Sequence, residues 1–474
     1  MNPIAFAAVI AAACTVSAAE PAATALVTVD VGSEIGAIKP MNAVVRIDER
    51  IAAGDATMAI QSAIDRVWKS GGGCVSLSGG AYAVKGLRLR SNVELHLERG
   101  AVLNASRNCG DFAIMDGDVL EPVPESLRLL QGYRRSSARR LSPWCDGIIR
   151  LFCATNASIT GEPGCAIDGR NSFSETGEEK YRGVHGICAD FSTNIVLRGV
   201  ELRNTGNWAT RFFDCANLRF EDLRIRGGHD GVHVRGCDRV CVSRCDIRSG
   251  DDSIAGFDNT DVLVMDCLLN SACSAFRFGG KHVRVSRCRV WGPAEWPFRG
   301  TLSREDKRAG VSSQGRGRAN LLSFWTYFAD FSRPIRNQPG DIVVSDCVVE
   351  NADRLLHYNF SGNETWQKSA PLGDIRFERV RATGIGMSLC AYADPTRSVA
   401  LSMSDCDIIF RSPQPEFIRG ADIEYVELVG VRVKGVEGPC VRTWSGVPEL
   451  RFSKVLGLEN KVERSDKPFE TPAI

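Results

Sequence analysis

Hydrophobic and polar positions recur along this chain in short units, about 22 residues apart. Four units begin at residues 218, 240, 262 and 283 and read LRFEDLRI, VCVSRCDI, VLVMDCLL and VRVSRCRV. A further unit begins at 195, and the pattern returns at 342, 375, 401, 426 and 450. Each unit is rich in strand-forming residues and is flanked by turn residues, often Asn or Asp. This period predicts an all-β solenoid of stacked coils, a parallel β-helix.

The beginning of the solenoid needs a cap, because an open coil would expose unpaired backbone and apolar interior. The segment 54–73 predicts an amphipathic helix that supplies this cap. One helical face carries the apolar residues Ile60, Ile64, Val67 and Trp68. Asp55 can cap the start of the helix, and the glycines at 71–73 end it.

We predict one β-helix domain over 40–462, followed by a C-terminal tail over 463–474. Two stretches interrupt the period, near 107–146 and 291–340, and are predicted as inserted loops, which in solenoids often form the binding face. The second stretch holds eight basic and four acidic residues, interleaved with Trp291, Trp296, Trp325 and Tyr327. This composition favours either a clamp for an anionic sugar or a basic, solvated loop.

The first residues of the chain predict export. The apolar run Ile4–Ala13 is too short to span a bilayer, and the small residues at 17–19 resemble a signal-peptide cleavage site. We therefore predict a signal peptide over 1–19 and a secreted or periplasmic protein, with lipid anchoring at Cys14 as the alternative. No later segment approaches a membrane span, and we expect a monomer.

Eighteen cysteines would ordinarily indicate disulfides in an exported protein. In the repeat, however, five of them share one position, which other coils fill with Val200, Leu223, Val380 or Val431. These five are Cys245, Cys267, Cys288, Cys347 and Cys406. A column that accepts Cys, Val or Leu predicts an interior apolar stack of free thiols. A metal ladder or disulfides are the alternatives, although no spacing resembles a Cys-x-x-Cys zinc site.

Aligning the coils brings carboxylates together in the turns that precede the units. Asp230 and Asp252 share a column with Trp208, and Asp251 lies in the neighbouring column with Asn207 and His229. Strand alternation then directs a further set of side chains outwards. This set consists of His233, Arg235, Phe257 and Arg277, with Lys281 in the next turn.

Three carboxylates at one coil spacing cannot all ionise freely, so at least one pKa is expected to rise. A neutral acid beside ionised ones suits glycosidic cleavage, in which one group protonates the leaving oxygen and another activates water. A plain turn between coils, or a calcium site, would also explain clustered aspartates. With 58 basic and 57 acidic residues, the chain argues against a nucleic-acid partner.

Several stretches resemble the pectin-lyase-like β-helices, and within them the polygalacturonase family (glycoside hydrolase family 28). Segment 55–106 is similar to the family's cap and first coils, and NASITGEPGCAIDG at 156–169 is similar to its NVTITGEGTIDG element. GGHDGVHV at 227–234 resembles the Asn-Thr-Asp-Gly motif, and SGDDSIAG at 249–256 resembles the Gly-Asp-Asp motif.

This resemblance implies a right-handed β-helix that needs no cofactor and inverts the anomeric centre by single displacement. Asp251 would be the general acid, and Asp230 and Asp252 would activate the water. The substrate implied is a pectin-type glycan or another plant or algal glycan. The predicted substrate-binding residues are Trp208, His229, His233, Arg235, Arg277 and Lys281.

The chain departs from the family pattern at three places. Cys273 or Ser274 stands where related enzymes present a histidine, and Gly-His replaces Asn-Thr before Asp230. The family's Arg-x-Lys motif, which grips the uronate carboxylate, is not recognisable. Its substitutes could be Arg277, Lys281, Arg316 or Arg318. A polysaccharide lyase, a non-catalytic glycan-binding β-helix and a purely structural β-helix are therefore the alternative hypotheses.

Overall fold

The computed structural model describes residues 44–48, 50, 54–112, 147–177, 181–316, 320–327, 335–360 and 370–466. The predicted signal peptide, Cys14 and most of the predicted tail lie outside these residues. No helix in the described part of the chain is long and apolar enough to cross a membrane.

The chain winds into coils with three faces, and successive coils pair in parallel on each face. The first face consists of the strands Leu87–Arg88, Gly147–Phe152, His185–Asp190, Thr210–Phe213, Val232–Arg235, Leu321–Tyr327, Ala352–Asn359, Leu389–Tyr392, Ile418–Ala421, Pro439–Thr443 and Glu459–Arg464. The strands Ile254–Met265 and Ser274–Ser286 are longer and bend from the first face into the second.

The second face follows the first along each coil. Its strands are Val44–Ile47, Gly73–Leu77, Val93–Leu97, Thr155–Gly161, Thr193–Arg198, Ala216–Glu221, Asp238–Ser243, Gly340–Ser345, Asp374–Glu378, Val399–Ser404, Ile423–Val429 and Glu449–Ser453. The third face consists of Gly80–Val84, Ala101–Ala105, Ala166–Asp168, Glu201–Arg203, Arg224–Gly227, Asp246–Ser249, Leu268–Ser271, Arg289–Trp291, Val348–Glu350, Arg381–Ile385, Asp407–Gln414 and Arg432–Val436.

The sequence repeat coincides with the register of the second face. Leu218 pairs with Val240, which pairs with Val262, which in turn pairs with Val283. The same column continues to Ile342 and, coil by coil, to the unit beginning at 450. The prediction of a parallel β-helix with coils of about 22 residues is confirmed, and the helix is right-handed.

The corner between the second and third faces holds the cysteine column. Cys245, Cys267, Cys288, Cys347 and Cys406 are all buried and free. Thiols fit here because they are small and apolar, and their weak S–H groups reach nearby carbonyls such as that of Met265. The prediction of buried free thiols is therefore confirmed for this column.

The polar residue in front of many units has a conformational cause. Asn194, Asn217, Asp261 and Asp341 adopt positive φ angles of 58°, 54°, 55° and 49°. Asn and Asp tolerate this left-handed region better than other residues with a Cβ atom. The amide of Asn217 also donates to Asn194 Oδ1 at 2.7 Å, which links consecutive coils.

A helix caps the first coils as predicted. It spans Thr57–Lys69, and its buried residues include Ile60, Ile64 and Val67. Asp55 Oδ1 accepts a hydrogen bond from the backbone N–H of Thr57 at 3.0 Å.

The predicted insertion at 291–340 is not one continuous loop, which corrects the sequence-based boundary. It contains the short helix Arg304–Ala309 and a 3-10 turn at Arg299–Thr301. It also contains the strand Leu321–Tyr327, which pairs with the neighbouring coils on the first face. The strand reads LLSFWTY, a nearly continuous apolar run without the alternation or spacing of the repeat, so the periodicity does not reveal it. Most of the other predicted insertion, 113–146, lies outside the described residues.

Candidate active site

The three acids lie in turns that lead from the third face to the first. Asp230 precedes the strand Val232–Arg235, and Asp251 and Asp252 precede Ile254–Met265 in the next coil. The parallel ladder aligns these turns, since Ala209 N donates to Asp230 O and Gly231 N donates to Asp252 O, both at 2.9 Å. The structure thus brings all three acids together.

Hydrogen bonds connect the acids to their surroundings. Asp230 accepts from Nδ1 of His233 at 2.8 Å and from the backbone N–H of Asp252 at 3.3 Å. Asp252 Oδ1 accepts from the backbone N–H of Ser274 at 3.1 Å. Asp230 and Asp252 are buried, whereas the Asp251 side chain is 22% exposed. Asp251 is therefore the acid that a ligand reaches first.

The environment raises the pKa of two of the acids. Burial, and then the charge of Asp230, raises the pKa of Asp251 to about 6, although Arg182 and Arg277 oppose this shift. Burial, and then the charges of Asp251 and Asp230, raises the pKa of Asp252 well above its usual range. These shifts agree with the expectation that three carboxylates at one coil spacing cannot all ionise freely.

Arg182 is a central residue of the site that sequence reasoning missed. Its Nη2 donates to Oδ2 of Asp251 at 3.2 Å, and its Nη1 donates to Oδ1 of Asn207 at 3.1 Å. Arg182 therefore bridges two coils of the column that contains Asp251. It lies outside the repeat units, and its only sequence signal is a position close before the strand His185–Asp190.

Trp208 and His233 form a stacked pair beside the acids. Their ring centroids lie 3.8 Å apart with an interplanar angle of 6°. Trp208 also contacts His185 at 5.1 Å, and it stays partly exposed. Because His233 bonds Asp230, the indole holds the orientation of a side chain that contacts the acids directly.

His229 is not joined to the three acids by a hydrogen bond. It is 4% exposed, and its ring packs edge-on against Phe298 from the 291–340 stretch at 5.8 Å. Burial, and then the charge of Arg182, lowers its pKa well below the usual range. His229, which the sequence predicts to face a ligand, therefore lies beneath the 291–340 stretch.

The predicted cations of the first face separate into two groups. Arg277 is close enough to Asp251 and Asp252 to lower the pKa of both. Arg235 lies further along its strand, with its guanidinium over the rings of Phe213 and Phe257 at 5.5 and 4.6 Å.

Lys281 is exposed where its strand bends away from the first face, opposite Thr260 and Gly340. The structure thus brings Arg277 to the acids and leaves Arg235 and Lys281 at the other end of the first face.

Cys273, one of the two residues at the place where the resemblance implies a histidine, lies beside the acids. Its Sγ lies within 4.8 Å of carboxylate oxygens of Asp251 and Asp252. Burial, and then the charges of the two aspartates, raises the pKa of this thiol well above its usual range. Two carboxyls and a neutral thiol do not suit calcium, which takes six to eight oxygen ligands.

The four aromatic residues singled out in the 291–340 stretch, all of which the structure describes, do not form a sugar platform. Trp325 and Tyr327 are core residues of the strand Leu321–Tyr327, and Trp296 is also buried. Trp291 is partly exposed and lies under the guanidinium of Arg248 at 5.7 Å. Trp325 and Tyr327 are buried because alternate residues of the strand Leu321–Tyr327 point into the solenoid.

Most described basic residues of the same stretch are engaged in ion pairs. Arg304 and Arg308 pair with Glu175, Arg316 pairs with Asp306, and Arg336 pairs with Asp238 and Asp258. Arg318 and Arg333 lie outside the described residues. Arg299 and Lys307 are the members of this set that are buried.

Comparisons with known proteins agree with this architecture. The family described as "Right handed beta helix region" matches residues 167–310. A probable polygalacturonase from Vitis vinifera is 26% identical over 211 residues, which are 42% of this chain and 40% of the relative. The chain therefore matches less than half the length of that relative.

Solved structures resemble the fold over most of its length. The family 28 exopolygalacturonase of Yersinia enterocolitica aligns with a TM-score of 0.56 and 13% identity, covering 90% of this chain and 79% of that one. PfbA, a surface adhesin of Streptococcus pneumoniae, aligns with a TM-score of 0.53 and 12% identity, covering 84% and 90%. The fold defines a right-handed parallel β-helix protein. Within that class its fold is similar to that of the polygalacturonase relatives.

Proposed function

We propose that this protein is a glycoside hydrolase that cleaves an oligosaccharide or polysaccharide, of pectin type or from another plant or algal glycan. The observation that carries the proposal is the cluster of Asp230, Asp251 and Asp252, in which burial and like charge raise the pKa of Asp251 to about 6. A carboxyl that stays protonated near pH 6 beside other acids can donate a proton to a glycosidic oxygen.

Asp251 acts as the general acid in this proposal. It is the most exposed of the three acids, and its pKa of about 6 leaves it protonated in mildly acidic solution. Arg182 fixes its Oδ2 through the hydrogen bond at 3.2 Å.

Asp230 and Asp252 hold the attacking water. Asp230 accepts hydrogen bonds from His233 and from the backbone of Asp252, which favours its ionised form as the base. Asp252 stays neutral through burial and can orient the same water by a hydrogen bond. Attack on the face opposite the leaving group then inverts the anomeric centre.

The partly exposed Trp208 gives a sugar ring an aromatic surface next to the acids. Arg277 offers positive charge to an acidic sugar, and the polygalacturonase relatives support such a substrate. Arg277 would thus replace the Arg-x-Lys motif that is not recognisable in the sequence.

The proposal is tested by incubating the purified protein with neutral, uronic and sulfated glycans and measuring new reducing ends. Asp251→Asn should lose turnover by about 100-fold or more. Asp222→Asn is the matched control, since Asp222 is a half-exposed corner residue paired with Arg244. Proton NMR of the first product should reveal the inverted anomer. Ultraviolet absorbance of an unsaturated product, abolished by a chelator, would instead indicate a lyase.

A non-catalytic glycan-binding role is the second candidate, because an adhesin shares the fold. It predicts that no glycan in the panel is cleaved by the wild-type protein. Glycan binding would then be equal for wild type and Asp251→Asn, which distinguishes this role from hydrolysis.

A further inference from the structure

A group of buried cations lies beneath the 291–340 stretch, behind the turn that carries His229. Arg182, Arg299 and Lys307 are each 4% exposed or less. Arg107 is close enough to lower the pKa of Arg299 by its charge. Arg182 pairs with Asp251, and Lys307 Nζ donates to the carbonyl oxygen of Gly300 at 2.8 Å. A buried charge without a counter-charge is expensive, so the guanidinium of Arg299 decides whether this group calls for an anion.

Arg299 shows the imbalance most clearly. Its Nη2 donates to the backbone carbonyls of Asn171 and Lys307 at 3.3 and 3.1 Å, and it forms no ion pair within the described residues. Burial, and then the charge of Arg107, lowers its pKa to about 10. The guanidinium is therefore still charged at neutral pH and compensated only by neutral carbonyl dipoles.

Three buried residues around Gly228 carry four side-chain atoms that lack hydrogen-bond partners. They are both ring nitrogens of His229, Oγ of Ser313 and Nε of Arg299. A methyl group built on Gly228 would lie 2.9 Å from Ser313 Oγ and 2.5 Å from Arg299 Cβ. Arg299 N also donates to Gly228 O at 2.9 Å, which fixes the insertion against this turn. The unpaired atoms thus belong to residues that meet at one point of the fold.

We propose that His229, Arg299 and Ser313 form a binding site for a small inorganic anion of about the size of chloride. Each residue can donate a hydrogen bond to it, from an imidazole N–H, from Nε and from the hydroxyl. The anion would also neutralise part of the charge of Arg299. A water molecule could satisfy the same donors, but it would leave the buried charge uncompensated.

The burial of the three residues favours a small free ion over a group carried by a glycan. Each is 4% exposed or less, and Phe298 packs against the ring of His229. A substituent on a sugar would have to displace Phe298 to reach them. None of the three residues is one of the proposed catalytic acids, and the test of the site does not depend on catalysis.

The first test measures thermal unfolding of the purified protein in sodium chloride and in sodium gluconate at equal ionic strength. Binding to the folded state predicts a saturable rise of Tm in chloride, of about 1–3 °C at saturation. Equal Tm values in the two salts over the whole concentration range would overturn the proposal. Crystals grown in sodium bromide should show an anomalous peak among Arg299 Nε, Ser313 Oγ and the His229 ring, and its absence there would also contradict the site.

Variants connect the ion to these residues. Ser313→Ala removes one donor with little change in volume. The chloride concentration that gives half of the rise in Tm should therefore increase by about tenfold in this variant. Arg299→Gln should abolish it, and if that variant does not fold, Ser313→Ala still decides the matter. Arg308→Gln is the control, because Arg308 is exposed and pairs with Glu175. An unchanged chloride dependence in Ser313→Ala would refute the assignment.

Discussion

Arg182 donates to Asp251 across 69 positions of sequence, at 3.2 Å, and so joins the start of one coil to the acid turn several coils later. The guanidinium stabilises the ionised form of Asp251, while burial and Asp230 favour its neutral form. The resulting pKa of about 6 is a balance of these opposing effects, which makes Arg182 the most direct way to alter it.

Replacing Arg182 with Met should therefore raise the pKa of Asp251. If Asp251 is the general acid, activity falls as pH rises through its pKa, because the donated proton is lost. The basic limb of the pH profile of kcat/KM should move upwards by about 1 pH unit or more, with about a tenfold fall in the maximum. Arg244→Met, at an exposed corner pair with Asp222, should leave the limb in place. A limb that stays in place in Arg182→Met would show that Asp251 does not set it.

Asp252→Asn should stabilise the folded protein at high pH. The pKa of Asp252 is raised on folding, so the native state binds more protons than the unfolded chain above about pH 4, and stability falls as pH rises. Asn is neutral throughout and keeps an oxygen for the Ser274 N–H. Calorimetry should thus give a higher Tm than wild type at pH 8 and nearly the same Tm at pH 4. Asp222→Asn, which loses an exposed ion pair, should show no such gain. A lower Tm for Asp252→Asn at pH 8 would contradict the raised pKa.

The repeat made much of this molecule predictable, because each coil places equivalent residues one above another. The register of Leu218 with Val240 and the proximity of Asp230 to Asp252 both follow from the spacing of the units. Arg182 and Phe298 do not belong to the repeat. Their positions depend on how non-periodic chain packs against the solenoid, and a single sequence carries little information about such packing. That is why Arg182 was missed and why His229 was expected to face a ligand.

Cys273 should behave as an inert thiol although it lies beside the acids. Its pKa is raised well above the usual range by burial and by the charges of Asp252 and Asp251, so the nucleophilic thiolate is scarce at pH 7. Iodoacetamide should modify it far more slowly than it modifies glutathione. Cys273→Ser should retain turnover within about threefold, as should the control Cys241→Ser on the second face. Loss of activity in Cys273→Ser alone would indicate that the sulfur binds a metal or takes part in the chemistry.

Gly256 should be the glycine whose replacement damages the acid-bearing coil most directly. Its φ of +149° is unusual for a residue with a side chain, and a Cβ there would lie 1.8 Å from the carbonyl oxygen of Val234. That oxygen also accepts a hydrogen bond from the Asn259 side-chain amide at 3.0 Å, so the carbonyl cannot move away without breaking this bond. Gly256→Ala should cost about 3 kcal/mol or more and lower Tm by several degrees. Gly315→Ala is the control, because its φ is +66° with no atom within 4 Å, and it should cost only about 1 kcal/mol. Equal Tm values for the two variants would show that the close approach of the coils at Gly256 relaxes without cost.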